Sequence, residues 1–256
     1  MAAETLVPNS ADEAAQLFGD GDGVTVFGGG TILMPAIASG RLKPARVLLL
    51  HRSGLDGLSI DGGVVRIGAM VSVGELAEGP DDVLARFARE VGDLEVRASA
   101  TVGGNVCAPP GHEAQRGDLG APLIALGARV RSIGGGGERT EPVEDFLVGD
   151  RGARLVLELE YDRPSGAWSA QSIRRRHAHS YAIANVAICS NADGIRVGVS
   201  GIGPTAVRCR TVEQSRNADD VLTDVDPVDD AVASAEHRRK MLTLLVRRAL
   251  DEVESS

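Results

Sequence analysis

Two clusters of glycine are the residues of this chain whose types and spacing best suit ligand chemistry. The first is Phe27-Gly28-Gly29-Gly30-Thr31, and the second, about 70 residues later, is Thr101-Val102-Gly103-Gly104-Asn105. Because glycine has no Cβ, successive backbone N–H groups can point the same way and an anion can approach them closely. A helix that begins behind such a loop adds roughly half a positive charge. Two such loops that face each other could clamp a pyrophosphate without a lysine.

Neither cluster identifies a ligand when it is taken alone. The first and the second both depart from the dinucleotide fingerprint GxGxxG and from the phosphate-binding motif GxxxxGK[ST]. A tight turn is the alternative interpretation of each. The glycines by themselves therefore indicate no more than a nucleotide or flavin site.

The composition argues against several other functions. Of 256 residues, 43% are hydrophobic and 25% charged, which is typical of a folded globular chain. Twenty-seven basic residues against 36 acidic ones give a net charge of −9, which argues against a nucleic-acid partner. The chain begins without the apolar core of a signal peptide and has no apolar run of about 18 residues. We therefore expect a soluble, cytoplasmic protein without membrane insertion.

The three cysteines do not form a ligand set. Cys107, Cys189 and Cys209 are widely spaced, and no CxxC pair occurs. A self-contained zinc or iron–sulfur site normally needs about four ligands, so we expect no metal site. Cys107 follows the second glycine cluster directly, where a small buried residue is a better interpretation than a redox thiol.

The first glycine cluster is predicted to lie in a small βαβ unit. Ser10, with Glu13 three residues later, predicts the N-terminus of a helix. Strands over residues 24–27 and 47–50 flank the cluster and a helix over residues 31–39. Ligands collect at the loop of such a unit.

The remainder of the chain has the pattern of α+β structure. The elements predicted before the turn-forming segment Arg163-Pro164-Ser165-Gly166 are a hairpin within residues 59–67, helices at 73–77, 83–91 and 122–126, a glycine-rich loop at 101–111, and strands at 129–133 and 155–161. Those predicted after it are a hairpin at 181–202, an acidic loop at 219–230, and a helix at 231–253 with Leu242, Leu245, Val246 and Ala249 on its apolar face.

The order of these motifs resembles one family. The segment FGGGTILMPAI is similar to the first FAD loop of the flavin subunits of molybdenum hydroxylases, which include the medium subunit of carbon monoxide dehydrogenase and the flavin domain of xanthine dehydrogenase. Similarity to the same family continues in VRASATVGGNV, DLGAPLIALGARV, EDFLVGDRG, LVLELEYDRP, WSAQSIRRRHAHSYAIANVAI, GVSGIGPTAVR and HRRKMLTLLVRRAL. The matches are collinear and cover nearly the whole chain, so the ordered set is more specific than any single motif.

The resemblance implies the fold class and its division. The fold is expected to be α+β, with a two-part FAD-binding domain of the vanillyl-alcohol-oxidase type that carries two glycine loops at residues 1–164. A smaller α+β domain at residues 165–256 is expected to combine an antiparallel sheet with helices.

The resemblance also implies a set of cofactor-binding residues, and no catalytic residue of the chain's own. The first pyrophosphate loop would be formed by Gly28, Gly29, Gly30, Thr31, Ile32 and Leu33, and the second by Thr101, Gly103, Gly104 and Asn105. Asp118 resembles the acidic residue that hydrogen-bonds a hydroxyl of the cofactor, and Val156 lies where an aliphatic side chain packs on the isoalloxazine ring.

The chain departs from the family pattern at three places. Ile32 stands where the family usually has Ser, Asp or Glu. Residues 106–117 form a longer insert than the family has before Asp118. Ser172 stands where many members have a lysine; the candidates to replace it are Arg174, Arg175 and Arg176, for which a solvated face is the alternative.

Two histidines invite a catalytic interpretation. His112 lies in the insert, and His177 follows the arginine run. Neither has a Ser or Asp partner at a recognisable spacing. We therefore predict no catalytic role for either.

The function implied by the resemblance is electron transfer through FAD. Substrate would be oxidised in a molybdopterin-containing large subunit, and electrons would cross an iron–sulfur small subunit to FAD here and then leave to an external acceptor. A free-standing FAD-dependent oxidoreductase of the same fold is the alternative, which the insert and Ile32 favour. A non-catalytic scaffold that has lost FAD is a third possibility, which the intact glycines oppose.

Overall fold

The computed structural model describes residues 3–109, 118–175 and 181–256. Within them the chain forms three separate sheets with helices packed on each. The predicted α+β class is confirmed. His112, Arg176 and His177 lie outside the described residues.

The first sheet is small and parallel, as the predicted βαβ unit requires. Strands β1 (Glu4–Leu6), β2 (Val24–Phe27) and β3 (Arg46–Leu49) pair in the order β1-β3-β2. Helix α1 (Ala11–Phe18) joins β1 to β2, and α2 (Leu33–Ala38) joins β2 to β3. The first glycine cluster therefore lies where β2 ends.

Both helices of this unit begin where the sequence favours it. The Oγ atom of Ser10 accepts the N–H of Glu13 at 3.1 Å, which confirms the predicted cap of α1. Helix α2 begins two residues later than predicted, and Pro35 lies in its first turn, where a missing N–H costs nothing.

The second sheet has five strands in the order β4-β5-β8-β6-β7. They are β4 (Leu58–Asp61), β5 (Val64–Gly68), β6 (Arg129–Gly134), β7 (Gly137–Pro142) and β8 (Arg154–Asp162). The helices of this part of the chain are α3 (Val73–Ala77), α4 (Asp82–Ala88), α5 (Leu94–Ser99), α6 (Val102–Val106), α7 (Gly120–Ala125) and α8 (Val143–Val148). The predicted hairpin of β4 and β5 is confirmed.

Helix α6 occupies a stretch that was predicted as a loop, and that prediction is wrong for its first half. Thr101 begins the helix, because its Oγ1 atom accepts the N–H of Gly104 at 3.2 Å. The N–H groups of Val102 and Gly103 donate to the carbonyls of Val71 and Ala69, at 2.9 Å in each case. These tertiary bonds offset the low helix propensity of glycine. Residues 110 and 111 of the predicted loop lie outside the described residues.

The third sheet is antiparallel, in the order β12-β11-β10-β9. Its strands are β9 (Trp168–Ile173), β10 (Ala184–Asn191), β11 (Gly194–Ser200) and β12 (Val207–Arg208), and its helices are α9 (Arg210–Ser215), α10 (Val221–Asp224) and α11 (Ala235–Glu254). The predicted apolar face of α11 is confirmed, since Leu242, Leu245, Val246 and Ala249 are all buried.

Two boundaries near α11 differ from the prediction. The predicted acidic loop contains α10 and the one-turn helix Ala218–Asp220, because Asp224 accepts hydrogen bonds from the backbone and side chain of Thr211. Helix α11 begins four residues late, since the Oγ atom of Ser234 caps it by accepting the N–H of His237 at 3.2 Å.

The third sheet packs directly on helix α7. A Cβ on Gly198 of β11 would lie 2.1 Å from the carbonyl oxygen of Ala121, so only glycine permits this contact. Ala187 and Cys189 of β10 share one hydrophobic core with Leu123 of α7. The division at residue 164 remains a prediction.

Candidate functional site

The two glycine clusters lie against each other in the folded chain. A Cβ on Gly28 would lie 2.8 Å from the Oγ1 atom of Thr101, and one on Gly29 would lie 1.7 Å from the carbonyl oxygen of Ser99. The first loop (residues 28–33) thus contacts the side chain of Thr101, where the second loop (residues 101–105, which form the start of α6) begins, and the backbone of Ser99 just before it. The predicted pairing of two glycine loops has a structural basis.

The first loop presents unused hydrogen-bond donors. Within the described part of the chain, the N–H groups of residues 29–32 donate to no acceptor. Gly30 adopts a left-handed φ of +72°, which turns the chain into α2. Ile32, at the N-cap position, supplies no side-chain cap. Half-buried donors at the N-terminal end of a helix attract an anion.

The second loop does not present its donors in this way. We expected the N–H groups of both loops to point at the ligand. Instead the N–H groups of residues 102–104 donate within the protein, to Val71, Ala69 and Thr101. A Cβ on Gly103 would lie 2.9 Å from both the Cβ and the carbonyl oxygen of Ala69, so this glycine serves packing. On Gly104 a Cβ would meet only the Oγ1 atom of Thr101, at 3.1 Å.

Two clefts meet at these loops. Cleft A is bordered by residues 28–33, Thr101, Gly104, Asn105, Cys107, Pro109 and Tyr181 among others. Cleft B is bordered by Val26, Gly28, Leu33, Gly103, Gly104, Cys107, Arg151, Arg154 and Val156 among others. The residues common to both clefts include Gly28, Leu33, Thr101, Gly104 and Cys107.

Eleven of the twelve predicted site residues border one cleft or both. The exception, Asp118, is buried next to cleft A. Its Oδ1 atom accepts from the Nδ2 atom of Asn185 at 3.5 Å, and the following N–H, of Leu119, donates to the Oδ1 atom of Asn105 at 3.1 Å. Burial raises the pKa of Tyr181, which borders cleft A, and the charge of the nearby Asp118 adds to this effect.

Val156 and Asp118 lie at different clefts. Val156 is buried in cleft B, whereas Asn105 and Tyr181, which lie near Asp118, border cleft A. A ligand that touches both Val156 and Asp118 must therefore reach from cleft B to the residues beside cleft A. The two residues then contact different parts of it.

The arginines proposed to replace the family's lysine lie elsewhere. Arg174 pairs with Glu90 at 2.9 Å, and Arg175 donates to the carbonyl of Ala231 at 2.8 Å. Neither borders a cleft. The sequence pattern missed Arg151 and Arg154, both of which border cleft B. No local signal marks them, because their burial depends on distant segments.

The electrostatic character of the clefts suits an anion. Among the described residues, no Asp or Glu borders cleft A or cleft B, and two arginines border cleft B. In a chain of net charge −9 this is a local reversal of sign. Cys107 borders both clefts; burial raises the pKa of its thiol to about 12, with Arg151 acting in the opposite direction, so it remains neutral at physiological pH.

These features are typical of proteins that bind an anionic ligand at two adjacent glycine-rich segments next to a cleft. A family model described as the FAD binding domain in molybdopterin dehydrogenase matches residues 1–158. The chain belongs to this family, and the expected cofactor, FAD, is confirmed as that of the family.

Curated relatives match along almost their whole length. The carbon monoxide dehydrogenase medium chain of Hydrogenophaga pseudoflava is 27% identical over 97% of this chain and 96% of its own. The nicotine 6-hydroxylase medium subunit of Paenarthrobacter nicotinovorans is 26% identical over 96% of this chain and 95% of its own. The chain is accordingly similar along almost its whole length to medium subunits of such enzymes, and it is an FAD-dependent oxidoreductase component.

Solved structures show the same fold. A chain of carbon monoxide dehydrogenase from Hydrogenophaga pseudoflava superposes with a TM-score of 0.86 at 24% identity, covering 100% of this chain and 98% of that one. No group of three or more His, Cys, Asp or Glu in the described ranges is arranged to hold a metal ion. None of the helices in those ranges combines the length and apolar character needed to cross a bilayer.

Proposed function

We propose that this chain transfers electrons through FAD between an iron–sulfur partner subunit and an external acceptor, within a molybdenum-dependent dehydrogenase or hydroxylase. The observation that carries the proposal is the row of N–H donors at residues 29–32, which have no acceptor among the described residues and which border cleft A. Their neighbours Gly28 and Leu33 border both clefts, and no carboxylate of the described residues borders either cleft. A diphosphate that joins two ring systems fits that arrangement, because each ring system then has a cleft of its own.

The residues of this chain would hold the cofactor rather than react with it. The N–H groups of residues 29–32 would bind the diphosphate, and Gly104 leaves room for it on the facing loop. Val156 would pack on a ring in cleft B, and Asp118 would accept a hydroxyl near cleft A. When bound, FAD supplies the two-electron and one-electron redox chemistry.

Two exposed apolar side chains support contact with partner subunits. Met34 follows the first loop and is 52% exposed; Leu94, two residues before Val96 of cleft A, is 73% exposed. Their position beside the loop and cleft A, rather than their exposure alone, makes these two side chains candidates for a partner contact. The relatives that are named medium chain, medium subunit or subunit beta also belong to multi-subunit enzymes, by their names.

Cofactor binding is tested by calorimetry with the purified chain. We expect FAD to bind and FMN to bind much more weakly, because a monophosphate fills only part of the donor row. A yellow protein with an FAD absorbance spectrum is the corresponding direct observation. A chain that binds neither flavin contradicts the proposal.

The partner assignment is tested by affinity capture from the native host. We expect a molybdenum-containing large chain and an iron–sulfur chain to be recovered with the wild type, and less of both with Leu94→Asp. The same variant should bind FAD normally. A chain that is recovered alone, and that reduces its own FAD with a substrate, would instead be a free-standing flavoenzyme.

A further inference from the structure

Two buried arginines lie three residues apart on one wall of cleft B, and they differ in what they bind. Arg151 is 9% exposed and Arg154 is 6% exposed. Burying a guanidinium is costly unless its donors and its charge are satisfied. The comparison of their partners therefore shows which guanidinium has all its hydrogen-bond donors satisfied within the protein.

Arg154 is satisfied by the hairpin of β6 and β7. Its Nε atom donates to the Oγ atom of Ser132 at 3.0 Å, and its Nη2 atom donates to the carbonyls of Ser132 and Gly137 at 2.8 and 3.0 Å. Its Nη1 atom donates to the carbonyl of Gly135 at 3.3 Å. All three nitrogens are used, so the role of Arg154 is structural.

The hydrogen-bond donors of Arg151 are only partly used. Its Nη1 atom donates to the carbonyl of Val106 at 3.3 Å, at the end of α6, and this is its only hydrogen bond within the described residues. No carboxylate in those residues pairs with it. Burial lowers the pKa of its guanidinium, but an arginine stays charged in the physiological range. A buried guanidinium with so few partners among the described residues is suited to bind an anionic ligand.

The position of Arg151 indicates which cavity receives that anion. Its side chain borders cleft B and also a third cavity. The third cavity contains Asp229 and Asp230, whose carboxylates disfavour an anion. Cleft B contains no carboxylate among the described residues, and Arg151 is bonded there to α6, the helix that carries Gly104.

We propose that Arg151 is a diphosphate-binding residue of cleft B, which supplies the positive charge that the glycine loops lack. The inference rests on the proposed function and adds a charged contact to it. A guanidinium is suited to the task because its fork of donors can bind two phosphate oxygens at once. Residues 29–32 border cleft A and Arg151 borders cleft B, so a diphosphate that binds both would lie at Gly28, Gly104 and Cys107, which border both clefts.

The test compares Arg151→Gln with wild type in binding FAD and ADP, both followed by calorimetry on the apoprotein. ADP carries the diphosphate without the flavin. Glutamine keeps a donor for the Val106 carbonyl but has no charge. We expect both affinities to fall by a similar factor of about ten to a hundred, the range for loss of a charge-assisted hydrogen bond. Arg151→Lys should lose less, because the charge remains.

Two controls separate this effect from general charge and from stability. Arg66→Met removes the same charge from a 41% exposed side chain outside both clefts, and it should leave both affinities unchanged. Arg154→Met should lower the melting temperature of the apoprotein more than Arg151→Gln does, because it breaks more hydrogen bonds.

The outcomes distinguish this inference from the proposed function. If the wild type binds FAD and ADP and Arg151→Gln binds both equally well, the role of Arg151 is refuted while the FAD site stands. A loss for FAD without a loss for ADP also refutes it, because the contact would then be to the flavin half. If the wild type binds neither ligand, both proposals fail.

Discussion

The two glycine loops are alike in sequence and different in use. In the first loop the N–H groups of residues 29–32 have no acceptor among the described residues, whereas in the second the N–H groups of residues 102–104 donate inside the protein. Gly29 and Gly103 each lie against another segment, where a Cβ would overlap it. A glycine pattern therefore marks both ligand approach and close packing, and only the folded chain tells them apart.

Gly29→Ala should have the largest effect. The new Cβ would lie 1.7 Å from the carbonyl oxygen of Ser99, a backbone atom that cannot move without displacing the second loop. We expect a loss of about 3 kcal/mol or more in the free energy of unfolding, at the upper end for overpacking, together with loss of FAD binding. Urea denaturation measures the first quantity. Gly57→Ala is the matched control, because nothing lies within 4 Å of its Cβ. Equal stability of the two variants would show that Gly29 does not pack against Ser99.

Gly104→Ala should separate ligand approach from packing. The added methyl group would contact only the Oγ1 atom of Thr101. Because Gly104 borders both clefts, the methyl group would otherwise occupy space that a ligand could use. Since alanine also favours a helix by about 1 kcal/mol over glycine, stability should change little. The affinity for FAD should fall about tenfold, equivalent to about 1.4 kcal/mol. Calorimetry of the folded variant decides the matter; an unchanged affinity would mean that α6 lies away from the cofactor.

Cys107, at the end of α6, should give the smallest effect, and only at alkaline pH. Burial raises the pKa of its thiol from 9.0 to about 12, so the folded state holds the proton more tightly than the unfolded state. The resulting stability is complete below about pH 9 and is lost as the pH rises towards 12. At pH 9.5 the loss should be about 1 kcal/mol or less. Unfolding at pH 7.5 and 9.5 should show a smaller decrease for Cys107→Ala than for wild type, and equal decreases would exclude a buried neutral thiol.

The elements around the first loop were predictable because their signals are local. Ser10 and Glu13 are three residues apart, and apolar runs flank Gly28 directly. Helix α6 was missed because it depends on carbonyls of Ala69 and Val71, about 30 residues away, rather than on its own propensity.

The residues of the candidate site also fall into those that the sequence could predict and those that it could not. The glycines and Asp118 could be proposed from ordered family motifs. Arg151 could not, because its burial and its bond to Val106, 45 residues earlier, exist only after folding. The different roles of the two loops could not be predicted for the same reason, because residue type does not show which acceptor a backbone N–H group binds.

The packing of β11 on α7 limits how the gene for such a chain can be rearranged in evolution. With Gly198 pressed on Ala121 and Asn185 bonded to Asp118, residues beyond the predicted boundary hold a residue of the candidate site in place. A gene rearrangement that kept residues 1–164 and replaced the remainder would expose the apolar surface of α7 and release Asp118. The flavin unit and its C-terminal companion are therefore expected to be exchanged, duplicated or lost together.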